Sequence, residues 1–171
     1  VGAGAPRRRG WSLTDVPDQR IAVITLDERT VDRRSPDVEH ERKVAIYDLL
    51  QKNLFAPAGG LAGPFQVSLG IEEGNLVFDL SSERGEPLDS IRLLLAPFRR
   101  VVKDYFLVCD SYYDAIKMAT PAKIEAIDMG RRGLHDEAAE MLQDRMADKV
   151  EMDRDTARRL FTLICVLHIR A

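Results

Sequence analysis

The chain has 171 residues, and 25 Lys+Arg against 28 Asp+Glu leave a formal charge of −3, which excludes a wholesale basic nucleic-acid binder. With 45% hydrophobic and 31% charged residues the composition excludes full disorder and is too interrupted by charge for a membrane span. A chain this long buries one good core more easily than two small ones, so a single domain over 19–171 is expected, behind a disordered basic tail over 1–18.

The first ordered segment, Arg20 to Leu26, is short and β-branched and reads as a strand. Ser35-Pro36-Asp37 is a cap-then-proline helix start, and the helix is expected to run to about Phe55 on a stripe of Ile46, Leu49 and Leu50, supported by Ala45 and Leu54. From Phe65 the period changes to two: Phe65, Val67, Leu69 and Ile71, then Glu72-Glu73-Gly74-Asn75, then Leu76, Phe78 and Leu80, which predicts a β-hairpin. After the turn at Glu83 to Pro87, Ile91, Leu93 and Leu95 predict a third antiparallel strand.

Beyond Pro97 the pattern is helical. Phe98, Val101, Val102, Tyr105, Phe106, Cys109, Tyr112, Tyr113 and Ile116 form one sustained stripe. Thr120-Pro121 starts another helix, which the Gly130-Arg131-Arg132-Gly133 run is expected to break before a second amphipathic piece. Asp153 or Asp155 caps a last helix whose Leu160 to Ile169 run is apolar except for Thr162 and His168, and such a helix belongs in the middle of a core. The order predicts an α+β fold, a small antiparallel sheet of about four strands packed against a C-terminal set of helices.

Cys109 and Cys165 lie in apolar runs with no CxxC pair and read as reduced core thiols, which favours the cytoplasm. Arg7 to Arg9 are not followed by an apolar run, so no export signal is expected. Asp37, Glu39, His40 and Glu41 lack metal-ligand spacing, and the positive end of a helix already explains carboxylates in a first turn; no metal and no cofactor are expected. Arginine doublets recur at 8–9, 33–34, 99–100, 131–132 and 158–159. Arg99 and Arg100, with Lys103, fall where the helix dipole disfavours cations, so something negative should meet them: Glu83, Glu86 or Asp89 within the chain, or a bound anion. The candidate anion-binding set is therefore Arg99, Arg100, Lys103, Arg131 and Arg132. Asp128, His135, Asp136 and Glu137 are the nearest approach to a general acid–base site, although Asp136 reads more simply as an N-cap and His135 as a surface residue. His168 reads as a hydrogen-bonded core histidine, and the Tyr105, Tyr112, Tyr113 series as core.

Four stretches, SPDVEHERKVAIYDLL (35–50), PFRRVVKDYF (97–106), IEAIDMGRRGLHDE (124–137) and DTARRLFTLICVLH (155–168), resemble an uncharacterised family of small cytoplasmic alphaproteobacterial proteins. The resemblance spans Arg20 to about His168 and implies a bacterial cytosolic setting, with no activity or site residues to carry over. The expected function is a non-enzymatic interaction or regulatory protein whose partner is another protein. A phosphorylated small molecule or RNA at the arginine doublets is the alternative, and a hydrolase with a His/carboxylate site the second alternative.

Overall fold

A computed structural model of the chain describes residues 18–28 and 36–168. Most of the expected basic tail, the Ser35 cap and the doublets at 8–9 and 33–34 lie outside the described residues. The elements run β1 (Ile21–Leu26), α1 (Pro36–Gln51), β2 (Phe55–Pro57), β3 (Phe65–Glu72), β4 (Asn75–Ser82), β5 (Pro87–Leu94), α2 (Arg99–Met118), α3 (Pro121–Met146), β6 (Val150–Met152) and α4 (Arg154–His168).

β1, β3, β4 and β5 form a mostly antiparallel sheet in that order. The fold is α+β, as the segregated strand and helix patterns predict, with one departure: β1 pairs parallel to β3, with α1 in the connection that a parallel pair requires. β3 and β4 form the expected hairpin, and its loop is two residues, Glu73 and Gly74, both at positive φ (50° and 76°), the conformation whose twist matches the flanking strands. Alternation then places Val67, Leu69, Phe78, Leu80, Ile91 and Leu93 in the core on one face.

α1 stops at Gln51 rather than near Phe55. Asn53 is the cause: its Nδ2 donates to the Leu49 carbonyl at 2.8 Å and the Ile21 carbonyl at 2.9 Å, and its Oδ1 accepts from the Ile21 amide at 2.7 Å. Leu54 is then held by Thr156 Oγ1 at 3.0 Å, and Phe55–Pro57 pairs antiparallel with Val150–Met152 in a small second sheet. Strands of three residues are too short to show a period, which is why neither was legible.

The expected break at Gly130–Gly133 does not occur, and α3 is one helix of 26 residues. Two helical glycines cost about 1 kcal/mol each relative to alanine. Ion pairs from Asp128 to Arg131 and Arg132 and the packing of Ala138, Ala139, Leu142 and Met146 offset this. Thr120 caps α3 as expected, accepting from the Lys123 amide at 3.3 Å, and Asp153 rather than Asp155 caps α4, accepting from the Thr156 amide at 2.9 Å. α4 is the central element: Leu160 to Leu167 are buried without interruption, between α1 and α3 and over β3. Thr162 fits there because its hydroxyl donates to the Arg158 carbonyl at 3.3 Å. Among the described residues no helix is long and apolar enough to cross a membrane.

Candidate functional site

The densest polar cluster lies where α1, α2 and α3 meet. Tyr113 Oη on α2 donates to Glu41 Oε1 on α1 at 2.6 Å. Arg131 on α3 reaches the same Glu41 oxygen at 3.6 Å, donates to Asp128 Oδ1 at 2.9 Å, and lies over the Tyr112 ring at 4.3 Å. Arg132 takes the other Asp128 oxygen at 2.9 Å, so one carboxylate holds the whole 131–132 doublet. Burial works against the Arg131 charge, but Asp128 and Glu41 more than offset it and its pKa is raised. Continuous helix through 130–133 has a further consequence: its backbone amides are committed to helical hydrogen bonds and form no anion-holding turn.

Several of the other candidate groups are similarly engaged. Arg100 pairs with Asp104 at 3.4 Å and with Glu137 at 2.9 Å, and Arg158 pairs with Asp136 at 3.4 Å. The counter-charges expected from Glu83, Glu86 and Asp89 are therefore replaced by acids of the helical layer. Asp136 sits in mid-helix and is not an N-cap. Arg99 and Lys103 have no ion-pair partner among the described residues and stay exposed at the start of α2. Arg132 and the Glu137 that holds Arg100 lie five residues apart, about 140° around α3, so the two doublets face different ways. Asp128, Asp136 and Glu137 likewise point to different arginines and do not converge on His135.

His135 is not a surface residue. Its ring stacks on Tyr105 with centroids 4.7 Å apart and lies edge-on to Phe161 at 6.3 Å, and its Nε2 is buried without a hydrogen-bond partner. Burial first, then the Arg158 and Arg131 charges, lower its pKa to about 4, with Asp136 opposing them. The unfolded chain therefore binds a proton near pH 6.5 that the folded chain refuses until about pH 4, and stability must fall as pH drops through that window. A loss of about 2 kcal/mol between pH 7 and pH 5 is expected from this group. Urea titrations of wild type and His135→Gln across that range measure it, and identical pH slopes would refute the assignment. His168, expected to be hydrogen-bonded, has an unpartnered Nε2, and its pKa is lowered by burial and then by Arg99.

Between α1, α2 and α4 lies a cavity of about 40 Å³. Cys109 and Cys165, distant in sequence, both line it, together with Tyr105, Tyr113, Glu41 and Asp110. Both cysteines are free, and burial pushes both thiols up, so they are neutral and unreactive. Tyr105 is only 3% exposed, its hydroxyl is buried beside the Cys109 thiol, and burial followed by the influence of Cys109, Glu41 and Cys165 raises its pKa far above the usual phenol range. The sequence shows Tyr105, Cys109 and Tyr113 at four-residue steps along one helix face. That spacing is the signal that could have grouped them, whereas nothing local brings Glu41 and Cys165 to the same place. Among the described residues no group of His, Cys, Asp and Glu could hold a metal ion.

The family described as "Uncharacterised protein family (UPF0262)" matches residues 18–170. The chain is 59% identical over 154 residues to a UPF0262 protein of Rhodopseudomonas palustris strain HaA2, covering 90% of this chain and 94% of that one. It is also 59% identical over 149 residues to a UPF0262 protein of Nitrobacter winogradskyi (87% and 89% covered) and over 150 residues to one of Bradyrhizobium sp. strain ORS 278 (87% and 89%). No solved structure matches significantly. The match begins just before β1 and takes in every element that builds the α1–α2–α3 cluster and the cavity, so the chain belongs to the UPF0262 family.

Proposed function

We propose that this protein is a non-enzymatic interaction module that binds a partner protein through the free end of the α2–α3 hairpin. The observation that carries this reading is the burial pattern: from Ile116 to Glu137 no residue is fully buried, and from Ile116 to Lys123 nearly all are exposed. α2 and α3, at 20 and 26 residues, are about 30 and 39 Å long, whereas α1 and α4, at 16 and 15 residues, are about 24 and 22 Å. The end of the hairpin nevertheless carries Ile116, Met118 and Met129 at 50%, 92% and 65% exposure. An open groove beside Met118 is lined by Asp114, Lys123 and Ile127. Helices draw most of their stability from packing an apolar face, and here part of that face has no cover within the described residues. An amphipathic helix of a partner, laid into the groove with its own charges against Asp114 and Lys123, is the occupant this chemistry suits.

A non-catalytic role is supported by the mutual pairing of the arginines and acids described above, which leaves His135 with no carboxylate turned toward it. A cytoplasmic setting is supported by two buried cysteines that remain free. The test is photo-crosslinking in cells from a benzoylphenylalanine placed at position 118, with position 84 in the β4–β5 turn as control. A discrete adduct is expected from position 118 alone, reduced at least about tenfold by Ile127→Glu, a change of more than about 1.4 kcal/mol. Equal adducts from both positions, or an adduct indifferent to Ile127→Glu in a variant that melts like wild type, would overturn the reading.

A further inference from the structure

We propose that two copies of this chain associate through the outward face of α3, packed antiparallel about a two-fold axis that passes between residues 128 and 129. Ala122, Ala126, Met129 and Gly133 are separated by four, three and four residues, the spacing that sets side chains along one seam of a helix. All four are exposed, Met129 at 65%. The seam lies opposite the Ala138, Ala139, Leu142 and Met146 face that the fold buries. A solvent-facing side of a helix ordinarily carries charge, and this one carries none for three turns. Ile127 stands at least about 100° round α3 from every seam position, so the seam and the groove beside Met118 are separate surfaces.

The glycines of this face suit a second helix. A Cβ added at Gly130 or Gly133 would meet nothing within 4 Å, so no contact inside the fold asks for glycine at either position, and both weaken the helix that holds them. Their use is to let another backbone come close. With alanine and glycine on both sides, two such helices pack at the short end of the usual range, about 8 Å between axes.

Charge complementarity identifies the second helix as another α3. Glu125 and Arg132 are seven residues apart and so flank the seam on one side, while Lys123 and Glu137, fourteen apart, flank it on the other. About an axis between 128 and 129, Glu125 of one copy lies opposite Arg132 of the second, and symmetry forms the reverse pair as well. On the other side Lys123 lies opposite position 134 of the second copy, less than one turn from Glu137. Lys123 and Glu125 have no ion-pair partner among the described residues. Arg132, 69% exposed, and Glu137, 46% exposed, are open enough to take a second partner beside Asp128 and Arg100. In a parallel pair Glu125 would face Gly130 instead and lose its cation.

The acids further along α3 set the limit of the contact. Asp136 would lie opposite Pro121, the first residue of the other α3, and Glu140 beyond it, so both stay in water. The seam from Ala122 to Gly133 is then 12 residues, about 18 Å, less than a standard interface spans. A weak dimer is expected, half-associated at about 10–100 µM and loosened by salt.

Sedimentation equilibrium of the full chain from about 1 µM to 1 mM at low ionic strength is the test. A reversible monomer–dimer equilibrium is expected. Gly133→Glu should weaken it at least about tenfold while melting at or above the wild-type temperature, since the new side chain enters open space and replaces a helical glycine. Glu125→Lys and Arg132→Glu each set like charges together twice, and each should weaken association about tenfold. An equimolar mixture of these two variants should associate like wild type, because every Glu125–Arg132 pair in the mixed antiparallel dimer is again opposite in sign. A chain that stays monomeric throughout, wild-type association in Gly133→Glu, or a mixture no stronger than either variant alone overturns the proposal. Cross-links from position 118 decide the hairpin reading separately.

Discussion

Replacing Phe161 by alanine is expected to lower the free energy of unfolding by about 3–5 kcal/mol, the range for removing a fully buried phenyl ring. Phe161 has no exposed surface and sits edge-on to both Tyr105 on α2, at 5.6 Å, and His135 on α3, at 6.3 Å. Its ring is thus the piece of α4 that the other two helices share, and the void left by alanine would be walled by an aromatic stack that cannot collapse without moving whole helices. A domain of this size should lose roughly 10 °C in melting temperature. Phe161→Leu, which keeps most of the volume, should lose about 1–2 kcal/mol. Urea denaturation of the three proteins decides the matter: an alanine variant within about 1 kcal/mol of wild type would mean that α4 is not the centre of the core.

The second large effect is expected at Arg131. Arg131→Met keeps the length and the contact with Tyr112 but leaves Glu41 and Asp128, both three-quarters buried or more, without their shared cation. Breaking a fully buried pair costs about 3–5 kcal/mol, and partial exposure (22% for Arg131) reduces this to about 2–3. Arg131→Lys should recover little, because one ammonium cannot meet both carboxylates while lying flat on a ring. The network makes the losses non-additive. Combined with Glu41→Gln, Arg131→Met should cost about 1 kcal/mol less than the sum of the single changes. Strict additivity would show that Glu41 and Arg131 do not act on each other.

What sequence patterns could and could not show follows from the range of each interaction. The β3–β4 hairpin was legible because a two-residue turn and alternating apolar side chains are local properties of Phe65 to Leu80. The stripe from Phe98 to Tyr113 was legible for the same reason, although its last predicted member, Ile116, runs past the elements that cover it and is half exposed. α3 was misread at the glycines because propensity is a small local term, and packing far down the same helix overrode it. The end of α1 was misread because Asn53 finds its partner on β1, some thirty residues earlier in the chain.

The candidate site divides along the same line. Residue types and doublets were visible, but of the cations at the start of α2 only Arg100 meets acids among the described residues, Asp104 one turn on and Glu137 from another helix. Which acid meets which arginine depends on how three helices cross, and no local pattern encodes that. The chain itself determined its secondary structure where period, turn and cap agree, and the placing of α4, apolar from Leu160 to Leu167 but for Thr162, at the centre, since burial of that apolar surface admits no other position. Only the tertiary structure decided that Arg100, Arg131, Arg132 and Arg158 meet acids of the helical layer, that two distant cysteines and Tyr105 line one small cavity, and that the end of a helical hairpin stays uncovered. Each of these depends on side chains far apart in sequence whose separation is set by the packing of whole elements.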